Sequence, residues 1–263
     1  IAPTATSTLR VYQFRHDREL TGISTTRHPY CLGRYQIAGT IARPTDKMLK
    51  NYVNCKETLT TLTDYRSSVI EMEKIVSEIR DHKAPQQLWL LQHPSIYTLG
   101  TRADKSEVLE PSRFPVFHTG RGGRATYHGP GQLICYLMLD LKKREKDIRK
   151  YIFDLEQWII NALAEFNIIG HRRKGRVGIW IIMNPGQKKP PLEAKIAAIG
   201  VRVRQWVSYH GISINIDPNL EHYSGIIPCG VKKYGVTSLS DLGVQADISE
   251  VAQSLKDHFY SIF

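Results

Sequence analysis

The chain has 263 residues, 41% of them hydrophobic and 23% charged, with a formal net charge of +11 at pH 7. This length and apolar fraction suit one large α/β domain, alone or with an appended segment, and no apolar run is long enough to span a bilayer. The four cysteines form no CxxC pair, so they are typical of a reduced intracellular protein and disfavour a disulfide framework.

The positive charge favours acidic partners, among which acidic proteins, nucleic acids and anionic membranes all qualify. The sequence has no zinc-finger spacing, no RNP-like motif and no arginine-rich arm interleaved with aromatic residues. Its histidines show neither HxxxH nor HExxH spacing. We therefore expect no nucleic-acid partner, no membrane association and no metal site.

Residues 1–60 differ from the rest of the chain, because they are rich in Ser, Thr and Arg and show little periodicity. They predict a poorly ordered N-terminal extension, followed by a folded domain at residues 61–263. Two origins for the extension stay open. One is a mitochondrial transit segment, which Asp17 and Glu19 disfavour, and the other is non-native sequence before a translation start at Met48. Cys31 and Cys55 fall in this irregular region.

Three stretches after residue 60 predict helices. DYRSSVIEMEKIVSEIRDHK, from Asp64, is the first, and Pro85 ends it. DIRKYIFDLEQWIINALAEF, from Asp147, is the second, and ISEVAQSLKDHFYSIF closes the chain. Apolar residues of the first two recur on one helical face: Val69, Met72, Ile75, Val76 and Ile79, then Ile148, Tyr151, Ile152, Leu155, Trp158, Ile159 and Leu163.

Short apolar runs between the helices predict strands. They are LWLL, SIYTLG, FPVFHTG, QLICYLMLDL, RVGIWII, AKIAAIGVRV and VSYHGISINI, and the last two suggest a hairpin. NPGQKKPP, at 184–191, reads as a loop. Because several strands follow one another with no helix between them, the pattern predicts an α/β fold with a mixed, largely antiparallel sheet and packed helices.

Cys229 is the candidate nucleophile. It lies between proline and glycine in GIIPCGV, on a turn that would expose its side chain, whereas Cys135 sits in the apolar run ICYLML and is expected to pack in the core. A reactive thiolate needs a nearby cation or base. His128 and His210, each beside a glycine, are candidates, and so is Lys195, which enters an apolar strand in EAKIAAIGV and would be partly desolvated there.

The loop RGGRATYH, Arg121 to His128, precedes a buried strand and combines glycines, arginines and a histidine. It matches neither a Walker A loop nor a GxGxxG fingerprint. Three interpretations stay open: an anion site of backbone N–H groups and guanidinium, close passage of an acyl chain or thioester, and a tight turn with a structural histidine. His93, before a proline, is more typical of a structural residue than of a ligand.

Six blocks in order resemble the lipoyl(octanoyl) transferase family. They are HPSIYTLGTRAD (93–104), RGGRATYHGPGQLICY (121–136), AKIAAIGVRV (194–203), YHGISINI (209–216), GIIPCGV (225–231) and YGVTSL (234–239). The resemblance runs from about residue 64 to the C-terminus and leaves the first sixty residues without a counterpart. It implies the fold of the biotin/lipoate protein ligase catalytic domain.

This resemblance implies transfer of an octanoyl group from octanoyl-acyl carrier protein to a lysine of lipoyl domains in 2-oxoacid dehydrogenases and the glycine-cleavage H protein. Cys229 would carry the acyl thioester, and Lys195 would stabilise its thiolate and act as general acid/base. A thioester is already activated, so no cofactor is implied. The residues that would bind the substrate are Arg121, Gly122, Gly123, Arg124, Ala125, Thr126, Tyr127, His128, Ala198, Ile199, Gly200, Gly211, Ile212 and Ser213.

Two other functions remain as alternatives. An ATP-dependent lipoate or biotin protein ligase of the same fold would need no nucleophilic cysteine, and a basic nucleic-acid-binding module would explain the charge alone. The motifs suggest a bacterial cytoplasm, while a mitochondrial matrix location would account for the N-terminal segment.

Overall fold

The computed structural model describes residues 36–37, 40–41, 52–183, 192–228 and 234–263. The α-helices in these ranges are α1 (Tyr65–Arg80), α2 (Ile148–Ala164) and α3 (Ile248–Ile262), and all three lie where the sequence predicts them. Asp64 and Asp147 begin the first two, since their carboxylates accept backbone N–H groups of the first turn. Among the helices so described, none combines the length and the apolarity that a membrane crossing requires.

The strands of the described residues form three sheets. Their bounds are β1 (Gln36–Ile37), β2 (Thr40–Ile41), β3 (Val53–Leu62), β4 (Gln86–Gln92), β5 (Ile96–Leu99), β6 (Val116–His118), β7 (Ala125–His128), β8 (Gln132–Met138), β9 (His171–Arg173), β10 (Arg176–Ile182), β11 (Glu193–Arg204), β12 (Val207–Asn215) and β13 (Gly235–Val236).

The main sheet has the order β3-β4-β8-β12-β11-β10-β9, with β13 beside β11. Its pairings are antiparallel except for β3 with β4 and β11 with β13. A smaller sheet joins β6, β5 and β7, and β1 pairs with β2. This mixed, largely antiparallel arrangement confirms the predicted fold class.

Helices cover both faces of the main sheet, and alternate residues of β8 show this directly. Ile134 and Tyr136 pack in the cluster that contains the apolar face of α1. Cys135 and Leu137 pack on the other side, in the cluster that contains α2 and α3. A strand buried on both faces has no polar alternation, which is why QLICYLM is uninterrupted. Cys135 is therefore a core residue, as expected, and burial raises the pKa of its thiol well above the usual range.

Strand β3 crosses the boundary that the sequence suggested between residues 60 and 61. It pairs with β4 along Val53 to Leu62, so residues 53–60 form part of the sheet, and Cys55 lies on a strand instead of in an irregular region. Trp89 of β4 donates to Thr58 Oγ1 over 3.2 Å. The strand was missed because it is at the sheet edge, where its sequence VNCKETLTTL keeps mostly polar, part-exposed side chains.

Strands β11 and β12 form the predicted hairpin, in register from Ala197 opposite Ile214 to Arg204 opposite Val207. The two connecting residues, 205 and 206, both have positive φ, at 51° and 67°. Two left-handed residues form the type of turn that matches the twist of a hairpin, although Gln and Trp are unusual there. The predicted loop at 184–191 lies outside the described residues.

Candidate active site

A cavity of about 330 Å³ is lined by β7 and the loop before it, by β8, and by β10, β11 and β12. The predicted substrate-binding residues line it with two exceptions. Those that do are Arg121, Gly123, Arg124, Ala125, Thr126, His128, Ala198, Ile199, Gly200, Gly211, Ile212 and Ser213. Lys195 lines the same cavity. The structure thus brings together residues from motifs as far apart in sequence as 121 and 213.

Gly122 and Tyr127 are the two predicted residues that are not part of the lining. The Gly122 N–H donates to the Val201 carbonyl oxygen over 2.9 Å, which ties the loop to β11. The Tyr127 hydroxyl lies 2.8 Å from His222 Nδ1 in a separate aromatic cluster. Because side chains alternate along a strand, Tyr127 points away from the cavity that its neighbours in β7 face.

Lys195 is a buried lysine, 8% exposed. Its Nζ donates to the Val177 carbonyl oxygen over 3.1 Å and lies 4.7 Å from the centroid of the Trp180 ring. A carbonyl dipole and an aromatic face both stabilise positive charge. The side chain therefore presents an ammonium group to the cavity from within the sheet.

The local register of β10 and β11 determines where Lys195 points. Ile179 pairs with Ala197, but Trp180 pairs with Lys195, so Ile196 is one extra residue on β11. Such a bulge changes the direction of neighbouring side chains and is frequent beside active sites. Lys195 and Trp180 consequently lie directly across from each other.

Arg176 also lines the cavity, next to Trp180. Its guanidinium lies 4.4 Å from the Trp180 ring and 4.0 Å from the Tyr234 ring, and it also pairs with the Glu193 carboxylate at 2.5 Å. Tyr234 is the first described residue after 229–233. Cys229 itself lies outside the described residues, so its predicted role stays a prediction here.

The loop before β7 is held by the side chain of Arg121. Its Nη2 donates to the Thr98 carbonyl and hydroxyl oxygens at 2.9 and 2.7 Å and to the Arg124 carbonyl at 3.1 Å, and its Nη1 donates to the Gly122 carbonyl at 3.0 Å. Glycine is required where backbones meet, since a Cβ on Gly100 would lie 2.5 Å from the carbonyl oxygen of residue 123. The Arg121 guanidinium thus donates hydrogen bonds to carbonyl oxygens of its own loop and of Thr98 in β5.

Two histidines, His128 and His210, also line the cavity. Burial, together with the nearby positive charge of Arg121, lowers the pKa of His128 and that of His210 to about 3. His210 lies opposite Val201, six residues beyond Lys195 on β11, or roughly 20 Å along the strand. Both imidazoles are neutral at pH 7.

A third histidine, His93, lies behind them and is structural, as predicted. Its Nδ1 is 2.6 Å from the Thr63 carbonyl oxygen, and its Nε2 is 2.6 Å from the Tyr136 hydroxyl. A carbonyl can only accept, so Nδ1 carries the proton and Nε2 accepts from Tyr136. Burial lowers the pKa of His93 to about 4, which keeps this tautomer neutral.

Sequence reasoning missed several residues of the lining: Tyr65, Arg102, Ile134, Tyr136, Gly175, Arg176, Val177 and Trp180. Only the β10 residues carried a usable signal, because a Trp and an Arg within RVGIWII are unusual in a buried strand. In the part of the chain that the structure describes, no group of three or more His, Cys, Asp or Glu side chains is arranged to hold a metal ion.

A model of the lipoyl protein ligase A/B catalytic domain family matches residues 64–260. The octanoyltransferase of Parvibaculum lavamentivorans is 52% identical over 199 residues, which cover 76% of this chain and 88% of that protein. The octanoyltransferase of Bartonella bacilliformis is 53% identical over 206 residues, covering 77% and 85%.

Solved structures share the fold at low sequence identity. Lipoate-protein ligase A bound with ATP superimposes with a TM-score of 0.59 at 16% identity, over 79% of this chain and 84% of that one. A bipartite lipoate protein ligase from Thermoplasma acidophilum gives a TM-score of 0.57 at 16% identity, with the same coverage of 79% and 84%. These structures show the fold alone. The family model and the relatives at 52% and 53% identity show that the chain belongs to the octanoyltransferase family, which is built on the lipoyl protein ligase A/B catalytic domain.

Proposed function

We propose that this octanoyltransferase takes its acyl group from octanoyl-acyl carrier protein, holds it as a thioester on Cys229, and passes it to a lysine of a lipoyl domain. The observation that carries the proposal is the Lys195 ammonium, buried in a cavity of about 330 Å³. This volume is within the range of about 300–1,000 Å³ that is typical of small-molecule sites.

The first half-reaction exchanges one thioester for another. The Cys229 thiolate attacks the octanoyl carbonyl carbon, the bond from that carbon to the carrier's sulfur breaks, and the departing thiolate takes a proton from the Lys195 ammonium. The bond formed and the bond broken are of one kind, so the step needs no ATP. The ammonium also favours the thiolate form of Cys229 before the attack.

The second half-reaction forms an amide. The amine of the acceptor lysine attacks the same carbonyl carbon and loses a proton to the now neutral Lys195, while Cys229 leaves as a thiolate. Lys195 is then an ammonium again, and the site has returned to its starting state. One lysine thus supplies a proton in the first half-reaction and removes one in the second.

The walls of the cavity suit a linear acyl chain. Small and aliphatic residues line it along the hairpin, namely Ala198, Ile199, Gly200, Gly211 and Ile212. Each buried methylene contributes about 0.8 kcal/mol, so an eight-carbon chain would add about 6 kcal/mol to binding. That energy can hold the donor while its carrier is exchanged for the acceptor.

The net charge of +11 suits partners that are acidic. We propose lipoyl domains of 2-oxoacid dehydrogenases and the glycine-cleavage H protein as acceptors, in the cytoplasm. A lipoate protein ligase of the same fold, from T. acidophilum, was studied structurally together with its E2 lipoyl domain.

The test is the intact mass of the protein after mixing with octanoyl-acyl carrier protein in the absence of ATP. The expected result is one added octanoyl group in the parent protein and none in Cys229→Ser. Addition of a lipoyl domain should then discharge the adduct and produce an octanoylated domain.

Two outcomes would contradict the proposal. An adduct that persists in Cys229→Ser would move the acyl group to another residue. Transfer that occurs only with ATP and free octanoic acid would indicate the ligase mechanism instead.

A further inference from the structure

One peptide group connects Lys195 to a buried carboxylate on helix α2. The Val177 carbonyl oxygen accepts from Lys195 Nζ over 3.1 Å, and the N–H of the same peptide group, that of Gly178, donates to Glu156 Oε1 over 3.1 Å. The carbonyl and the N–H of a trans peptide point in opposite directions. The peptide group therefore lies between the ammonium in the cavity and the carboxylate behind the sheet.

Glu156 is itself held in place and is almost fully buried, 8% exposed. Arg172 Nε lies 3.3 Å from Glu156 Oε2, and Arg172 Nη2 also donates to Gln157 Oε1 over 2.8 Å. The Arg172 guanidinium stacks 3.8 Å from the Phe153 ring. A carboxylate fixed on its far side by arginine has one well-defined position from which to accept the peptide N–H.

Glycine is required at position 178 for this arrangement. Its φ is +113°, a conformation that residues with a side chain rarely adopt. A Cβ there would lie 2.6 Å from the Ala197 carbonyl oxygen and 3.5 Å from Lys195 Nζ. The left-handed backbone turns the Val177 carbonyl towards Lys195 and leaves room for the ammonium.

We propose that Glu156 is a positioning residue for Lys195, acting through the Val177–Gly178 peptide group. The carboxylate fixes the peptide plane, and by accepting its N–H it polarises the carbonyl that receives the ammonium. The inference rests on the proposed function, because it assigns to Glu156 a share in the proton transfers of Lys195. Glu156 touches no substrate, so its effect reaches the reaction only through the lysine.

A double-mutant cycle tests the inference, with octanoyl transfer rates of Glu156→Ala, Lys195→Ala and the double variant compared with the parent. Loss of a hydrogen bond to a charged group predicts a roughly tenfold to hundredfold fall in kcat for Glu156→Ala. In the Lys195→Ala background the same change should have almost no further effect. Glu156→Gln keeps an oxygen that accepts the Gly178 N–H and should restore most of the rate.

Glu165→Ala is the matched control, since Glu165 ends the same helix and binds His258 Nε2 at 2.8 Å, away from the cavity. It should leave the rate unchanged. Thermal melting of each variant checks its fold. If Glu156→Ala does not fold, Glu156→Asp takes its place, because it keeps a charge beside Arg172 but is one methylene too short to reach the Gly178 N–H.

The outcomes separate the two proposals. Equal losses from Glu156→Ala in both backgrounds, or no recovery in Glu156→Gln, would overturn the positioning role and leave the role of Lys195 intact. Full activity of Lys195→Ala would overturn the role of the lysine, and the positioning inference with it. The inference is supported if Glu156→Ala lowers the transfer rate only in the protein that retains Lys195, and if Glu156→Gln restores that rate.

Discussion

At one end of the cavity the Lys195 ammonium faces a carbonyl and an aromatic ring, whereas at the other end the His210 imidazole is held neutral by burial, as is the imidazole of His128. Both ends contain buried nitrogen bases, but a carbonyl and an aromatic ring contact the lysine, whereas burial and the Arg121 guanidinium lower the pKa of the histidines. A charged group beside backbone acceptors is suited to stabilise an anion and exchange protons. The neutral imidazole rings near Arg121 are suited to form part of the cavity wall. In the proposed mechanism only the lysine exchanges protons, so burial alone does not identify a catalytic base.

Removal of the lysine side chain is expected to have the largest effect on the rate of octanoyl transfer. Lys195→Ala should lower kcat for octanoyl transfer by about 10²–10⁴, the usual contribution of a positioned acid–base group. Steady-state transfer to a lipoyl domain measures it. Lys256→Ala is the control, since Lys256 pairs with Glu57 on the surface and should leave kcat as it is. Comparable rates in the two variants would show that the lysine end is not the reactive one.

At the other end, the expected effect of Arg121→Ala is on stability. The substitution removes the Arg121 donors from the carbonyls of Thr98, Gly122 and Arg124, so the free energy of unfolding should fall by about 3 kcal/mol. Urea denaturation measures this change. Lys150→Ala removes a half-exposed ammonium paired with Asp154 on α2 and should cost about 1 kcal/mol or less. Equal losses would remove the distinction between them.

The neutral histidines predict a pH dependence of stability. The pKa values of His93, His128 and His210, about 4, 3 and 3, are below the unfolded value of about 6.5. The unfolded chain therefore binds more protons, and stability is lost as the pH falls from about 6.5 towards 4. Each histidine adds a slope of about 1.4 kcal/mol per pH unit in this window.

His210→Asn removes one of the three, and Asn tolerates the positive φ of 57° at this position. Urea denaturation at several pH values should show a slope smaller by about 1.4 kcal/mol per unit between pH 4 and 6.5. An unchanged slope would mean that His210 is protonated in the folded protein, and the contrast between the two ends would then disappear.

The smallest effect concerns salt, which should act outside the cavity. At 0.1 M ionic strength charges are screened beyond about 10 Å, so kcat/KM for carrier-bound substrate should fall several-fold as salt rises, while kcat changes little. Initial rates at about 20 mM and about 500 mM salt give kcat/KM under weak and under strong screening of charges. A flat kcat/KM would refute an electrostatic contribution to docking.

The sequence predicts the parts of this fold whose signals are local. Helical periodicity locates α1 and α2, and two β-rich runs separated by a short link locate the hairpin of β11 and β12. The edge strand β3 was not found, because its polar residues carry no core pattern. The motif from Arg121 to His128 predicts one part of the cavity wall, but it includes Tyr127, whose side chain points away.

Contacts between distant segments could not be predicted in the same way. His93 and Tyr136 are joined by a hydrogen bond across 43 residues, and Glu156 reaches Gly178 from a helix on the far side of the sheet. Glu156 looked like an ordinary charged helix residue in DLEQW. Its burial depends on the packing of α2 against β10, which only the assembled sheet determines.

The guanidinium of Arg121 and the hydrogen bond from Gly122 to Val201 join the glycine-rich loop to β11. A loop held at so many points has already lost its conformational entropy on folding. An acyl chain that enters the cavity then meets a preformed wall and has no ordering cost to offset there. The glycines, which in an isolated peptide would mean freedom, here allow backbones to lie close enough to keep the wall rigid.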